Sequence, residues 1–126
     1  MAGSPGNLAP VRDTNETWTT TCVFDIGGTG AHTKRLGKGI LSVTRQNTGQ
    51  FTANFTDVGG ALIDLDVKIQ SPAAAVPQIG KYVVDSFSAS AKSAQFEVYS
   101  VTTTPVRIDP VSGYDVVITA KWLKTL

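Results

Sequence analysis

Along residues 51–56 apolar and polar side chains alternate without interruption: Phe51, Ala53 and Phe55 against Thr52, Asn54 and Thr56. Successive side chains of an extended chain point to opposite faces, so this period of two predicts a strand with one buried and one wet face. The run Ile40 to Arg45 precedes it, joined by Gln46-Asn47-Thr48-Gly49. That polar connection carries a glycine able to take positive φ, which predicts a hairpin with a loop of three to five residues. The pattern recurs. Trp18, Thr20, Cys22, Phe24 and Ile26 share one face of a first strand over residues 17–26. Ile63, Leu65, Val67 and Ile69 alternate with Asp64, Asp66, Lys68 and Gln70, which predicts that the four apolar residues are core and the polar ones wet. Further strands are expected at about 80–88, 95–104 and 115–124, with Val106-Arg107-Ile108 pairing briefly before Asp109-Pro110 turns the chain. Residues 89–94 suit a short helix or a loop equally.

Seven or eight short strands at this spacing predict an all-β fold, an antiparallel β-sandwich or jelly-roll-like barrel. The proline-rich stretch from Ser71 to Pro77 reads as a crossing between two halves of one sandwich, since neither half is large enough to stand alone. Residues 1–16 contain Pro5, Gly6 and Pro10 and show no periodicity, so they read as an extended N-terminal arm ahead of one domain at 17–126. Residues 27–39 hold five glycines with Lys34, Arg35 and Lys38, and predict a long basic loop.

The chain has a formal net charge of +1, which provides no strong field for nucleic acid or an anionic membrane; neither is expected as a partner. No apolar run approaches the length of a membrane span. The start of the sequence has neither the basic region nor the apolar stretch of a signal peptide, and its single cysteine cannot form an internal disulfide, so cytoplasmic synthesis is expected. Cys22, on the face shared with Phe24 and Ile26, reads as a small buried hydrophobe.

The candidate chemistry is sparse. Gly27-Gly28-Thr29-Gly30 has the spacing of neither a P-loop nor a dinucleotide fingerprint, and a strand follows where a helix would be needed. His32 is the only histidine; without a second ligand at metal-binding spacing it reads as a solvated loop imidazole. Asp64 and Asp66 resemble half of a carboxylate constellation for glycoside hydrolysis or calcium binding, but Lys68 continues the same face and makes it a solvated, ion-paired stripe. No metal, cofactor or catalytic residue is assigned, and the protein is expected not to be an enzyme. The basic cluster would either dock an acidic partner or keep a glycine-rich loop solvated.

Two segments resemble small virion proteins of tailed bacteriophages. One is the Thr-rich hairpin from Gly39 to Asp57, closed by a glycine turn; the other runs from Val106 through Asp109-Pro110-Val111-Ser112-Gly113 into the strand ending near Leu123. The resemblance implies a capsid decoration (cement) protein, made in the host cytoplasm and placed on the capsid exterior of the virion. It implies the major capsid protein as partner and a homotrimer at local three-fold positions. Other virion parts, namely a head–tail adaptor, a tail tube subunit or a receptor-binding β-module, are the alternative, with a carbohydrate-binding sandwich behind them if an exposed aromatic platform exists. Contacts with capsid or neighbour are expected at Leu8, Val11 and Arg12 on the arm and at Lys34, Arg35 and Lys38 on the basic loop.

Overall fold

The alternation at the start of the patterned region forms β1 (Thr17–Ile26), and the hairpin forms β3 (Ile40–Asn47) and β4 (Gln50–Phe55). Between them lies β2 (His32–Gly37), and after them β5 (Ala61–Gln70), β6 (Gln78–Tyr82), β7 (Ser93–Ser100) and β8 (Asp115–Leu123). The computed structural model describes residues 17–27, 31–58, 60–71, 77–101 and 104–124. The expected arm, with Leu8, Val11 and Arg12, lies outside the described residues, as do Gly28 to Gly30 and most of the proline-rich crossing.

One sheet has the order β2-β1-β8-β5 and the other β3-β4-β7-β6, with every ladder antiparallel. Of the two forms expected, the chain takes the β-sandwich. Cys22, Phe24, Val116, Ile118 and Leu65 from the first sheet join Phe51, Ala53, Phe96 and Val98 from the second in one buried cluster. The clear periodicity of β1, β4, β7 and β8 is the direct cause, since each presents every second residue to the space between the sheets.

Several expectations are corrected. Residues 27–39 are not one long loop: Gly27 N–H donates to the Ala31 carbonyl, and β2 then pairs with β1. The hairpin loop is two residues, Thr48 and Gly49, with Asn47 paired to Gln50; Gly49 has φ +67°, as its turn requires. The strand expected at 80–88 ends at Tyr82, because Asp85 adopts φ +67°, which no strand accommodates. No helix forms at 89–94; Ser88 and Ser93 bridge each other around a tight turn in which Lys92 has φ +54°. Val106 to Ile108 does pair briefly, through an antiparallel bridge between Tyr99 and Arg107.

The four-residue apolar face of β5 is broken at its start. A bulge between Leu62 and Asp64 slips the register against β8, so Leu62 faces the core and Ile63 is exposed, while Leu65 and Val67 are buried as expected. Ile63→Asp should therefore change stability by no more than about 0.5 kcal/mol in urea unfolding, whereas Leu65→Asp should prevent folding.

The two sheets approach closely where β5 meets β6. A Cβ added at Gly80 would lie 2.5 Å from Val67 Cγ1 and 2.6 Å from the Val67 carbonyl oxygen. At the opposite corner only Lys38 and Gly39 carry the chain from β2 in one sheet to β3 in the other. The buried Cys22 thiol donates to the Lys38 carbonyl at 3.3 Å, which ties this short link to β1.

Candidate functional site

The expected basic cluster is dispersed by the pairing of β2. Arg35 sits where the ladder to β1 skips a residue, between the Val23↔Leu36 and Phe24↔Lys34 pairs. Its Nε donates to Asp25 at 2.8 Å and its Nη2 to Asp115 at 2.9 Å. Asp25 and Asp115 are direct cross-strand partners, an arrangement that repels, and the guanidinium between them cancels that repulsion. The Asp25 hydrogen bond, then the Asp115 charge, raise the Arg35 pKa above its ordinary value. Lys34 donates from Nζ to the Ile40 carbonyl at 3.2 Å. Two of the three expected contact cations are therefore engaged within the molecule, and Lys38 lies on the link between β2 and β3.

Beside these polar groups the corner also exposes two large apolar side chains. Leu36 on β2 and Leu41 on β3 are 57% and 61% exposed, and every residue of β2 is exposed or half-buried. The sequence did not single out either leucine. The only available signal was that Leu36 and Leu41 flank the glycine-bounded link Gly37-Lys38-Gly39.

His32 is not a solvated loop residue. It begins β2, half-buried, and its ring meets Phe51 edge-on at 4.8 Å, with Phe24 and Phe96 at 6.2 and 6.1 Å. Near it, at the end of the sandwich where β3 turns into β4, Asp109 acts as a clamp. It accepts a two-pronged contact from Arg45, with Nε to Oδ1 at 3.0 Å and Nη2 to Oδ2 at 2.9 Å, and a further bond from Gly49 N–H at 3.0 Å. Buried Gln78 completes the clamp, donating to the Asp109 carbonyl and accepting from Val111 N–H. Burial acts to raise the Asp109 pKa. Hydrogen bonds from Arg45 and Gly49 and the charges of Arg45 and His32 outweigh it, so the pKa is lowered. A depressed carboxylate stabilises the fold above its unfolded value and loses that contribution as pH falls through the folded one. Asp109→Asn should cost about 1–2 kcal/mol at neutral pH, and the gap from the parent should begin to narrow below about pH 4 and close as the pH falls through the lowered folded value, as followed by urea midpoints across pH.

On the outer face of the second sheet Glu97 accepts from Tyr99 Oη at 2.6 Å and from Arg107 Nη1 at 3.2 Å. The Tyr99 bond is the main cause of its lowered pKa. Asp64, Asp66 and Lys68 are exposed on the outer face of the first sheet, with Lys68 Nζ 3.9 Å from Asp66. Among the described residues no group of three or more His, Cys, Asp or Glu side chains could hold a metal ion.

The other end of the sandwich carries an aromatic wall. Trp18 and Trp122 are cross-strand partners stacked at 6.1 Å and 26°, and Phe55 and Phe87 meet Trp122 edge-on at 5.0 and 5.6 Å. Trp122 is buried, but Trp18 is 39% exposed. Beside them is a cavity of about 290 Å³ lined by both indoles, Thr20, Lys38, Gly39, Thr56 and Asp57. The sequence pattern puts Trp18 on one face of the first strand and Trp122 within the strand expected at 115–124; in the fold the two are cross-strand partners, one exposed and one buried.

Comparison with protein-family models, with curated proteins and with solved structures gives no match for this chain.

Proposed function

We propose that this protein is a capsid decoration (cement) protein that binds the outside of an assembled phage head, as a trimer, and stabilises it through contact surfaces and without chemistry. The observation that carries the reading is the β2–β3 corner. There an edge strand lies open along its length, its cations are turned onto the protein's own Asp25, Asp115 and Ile40, and Leu36 and Leu41 face outward. Open edges offer main-chain hydrogen bonds to a neighbouring strand, and exposed apolar side chains beside them add the area that makes such contact specific. The phage resemblance of the hairpin at 39–57 and of the closing strand supplies the partner class and the three-fold placement. Affinity for the expanded shell over its precursor would stabilise the mature particle by linkage, with weak contacts multiplied across three joined protomers.

The test is co-pelleting of the purified protein with heads stripped of it, together with sedimentation of the free protein. Binding should be little affected by salt, since Arg35 and Lys34 are already engaged, and Leu36→Asp with Leu41→Asp should weaken it at least tenfold without unfolding the domain. A monomer with no affinity for shells would overturn the reading. A closed ring of many copies would move it to a head–tail adaptor or tail tube.

A further inference from the structure

We propose that the cavity beside Trp18 is a binding site for a single pyranose ring at the end of a glycan. The inference is independent of capsid binding and rests on three features of the cavity. The first is the wall: Trp18, stacked on buried Trp122, presents a large flat apolar surface that the fold has left partly open to water. A pyranose has an apolar face of C–H groups that lies flat on such a ring. The second is the polar periphery. Lys38 can only donate, Asp57 can only accept, and Thr20 and Thr56 do both. A rim of vicinal hydroxyls, each donor and acceptor, matches that mixture. The opposed charges of Lys38 and Asp57 favour neither an anion nor a cation, and the exposed lining is mostly apolar, which suits the C–H face of the ring.

The third feature is Thr20 Oγ1. It is buried and has no hydrogen-bond partner. A buried hydroxyl left unpaired is disfavoured in a folded protein; it packs against Gly39, and a ligand hydroxyl that shifts this link aside would pair with it. The void is also close to the lower limit for ligand pockets, which suits one ring and not an extended peptide. Gly39 shapes it: a Cβ there would lie 2.8 Å from Thr20 Cβ, so a side chain at this position would press on the hydroxyl's own residue.

The experiment is titration of the full-length ¹⁵N-labelled protein with the methyl glycosides of glucose, galactose, mannose, N-acetylglucosamine and rhamnose. At least one should produce saturable shifts at the Trp18 indole N–H and at the amides of Thr20, Gly39, Thr56 and Asp57, with Gln50 and Gln95 on the far face unmoved. Thr20→Val keeps the side-chain shape and removes the hydroxyl; Trp18→Phe keeps an aromatic ring of smaller area. Each should raise the Kd about tenfold, the equivalent of one hydrogen bond or a comparable loss of contact, with the remaining resonances reporting an intact fold. Absence of saturable shifts with all the glycosides would overturn the proposal, as would shifts unchanged in both variants. So would binding that appears only after residues 2–14 are deleted, which would make the chain's own N-terminal segment the occupant.

Discussion

Trp122→Ala should be the most damaging single truncation in this fold, costing about 3–5 kcal/mol, read as a lowered urea midpoint with an unchanged slope. Trp122 is 1% exposed and joins three other rings, Trp18, Phe55 and Phe87, which come from β1, β4 and the turn before β7. Its removal empties the space that holds both sheets together at one end. Domains of this kind have about 5–15 kcal/mol of total stability, so a substantial fraction would be lost. Trp18→Ala removes a ring that is already partly hydrated and should cost markedly less. Equal losses at the two positions would mean that Trp18 is as enclosed as Trp122, and that the cavity beside it is closed.

The second large effect is expected from adding one methyl group. Gly80→Ala should destabilise by about 1–3 kcal/mol, because the new carbon would overlap Val67 Cγ1, Val67 Cβ and the Val67 carbonyl oxygen. Val67 is buried on β5, so the strand cannot move aside without opening the corner between the sheets. Val67→Ala in the same chain should relieve only part of the strain, since the backbone oxygen remains. A double-mutant cycle would show the pair as less destabilising than the sum of the single changes, by less than the full cost of Gly80→Ala. Additive effects at the two positions would mean that β6 packs elsewhere.

The strands that pattern revealed are those with one wet and one dry face. β1, β4 and β8 follow the period of two almost without exception, and their extents agree closely with the expectation. β2 was hidden because it lies at a corner, where both faces meet water and Thr33, Lys34 and Arg35 carry no alternation to read. The misplaced Ile63 has a different cause: a bulge adds one residue without changing composition, so the sequence continues to alternate while the register does not. Asp85 and Lys92 take positive φ where the pattern allows a strand and a short helix; aspartate is among the side chains that tolerate this conformation, but lysine gives no such signal. The candidate sites were less legible than the fold. Asp109 read as a turn residue, and its union with Arg45 depends on the crossing of the chain between sheets. The cavity beside Trp18 needs β1 and β8 to be neighbours, which no local pattern states.

The placement of β1 also decides how the sandwich would carry a mechanical load. It is an inner strand, flanked by β2 and β8, with nine positions from Thr17 to Asp25 paired to β8 and five from Cys22 to Ile26 paired to β2. Ladder hydrogen bonds lie perpendicular to the strands, so a pull along β1 from Thr17, resisted at the far end or faces of the body, strains both ladders in shear and all their bonds together. Leu123 is the cross-strand partner of Thr17, so the chain before β1 and the chain after β8 leave at the same end. Drawing those two segments apart would instead peel the β1–β8 ladder one pair at a time. The same strand therefore resists force in one direction and yields to it in another, and tension delivered through the segment before Thr17 meets the stiff direction whenever the body is held by its corner or its faces.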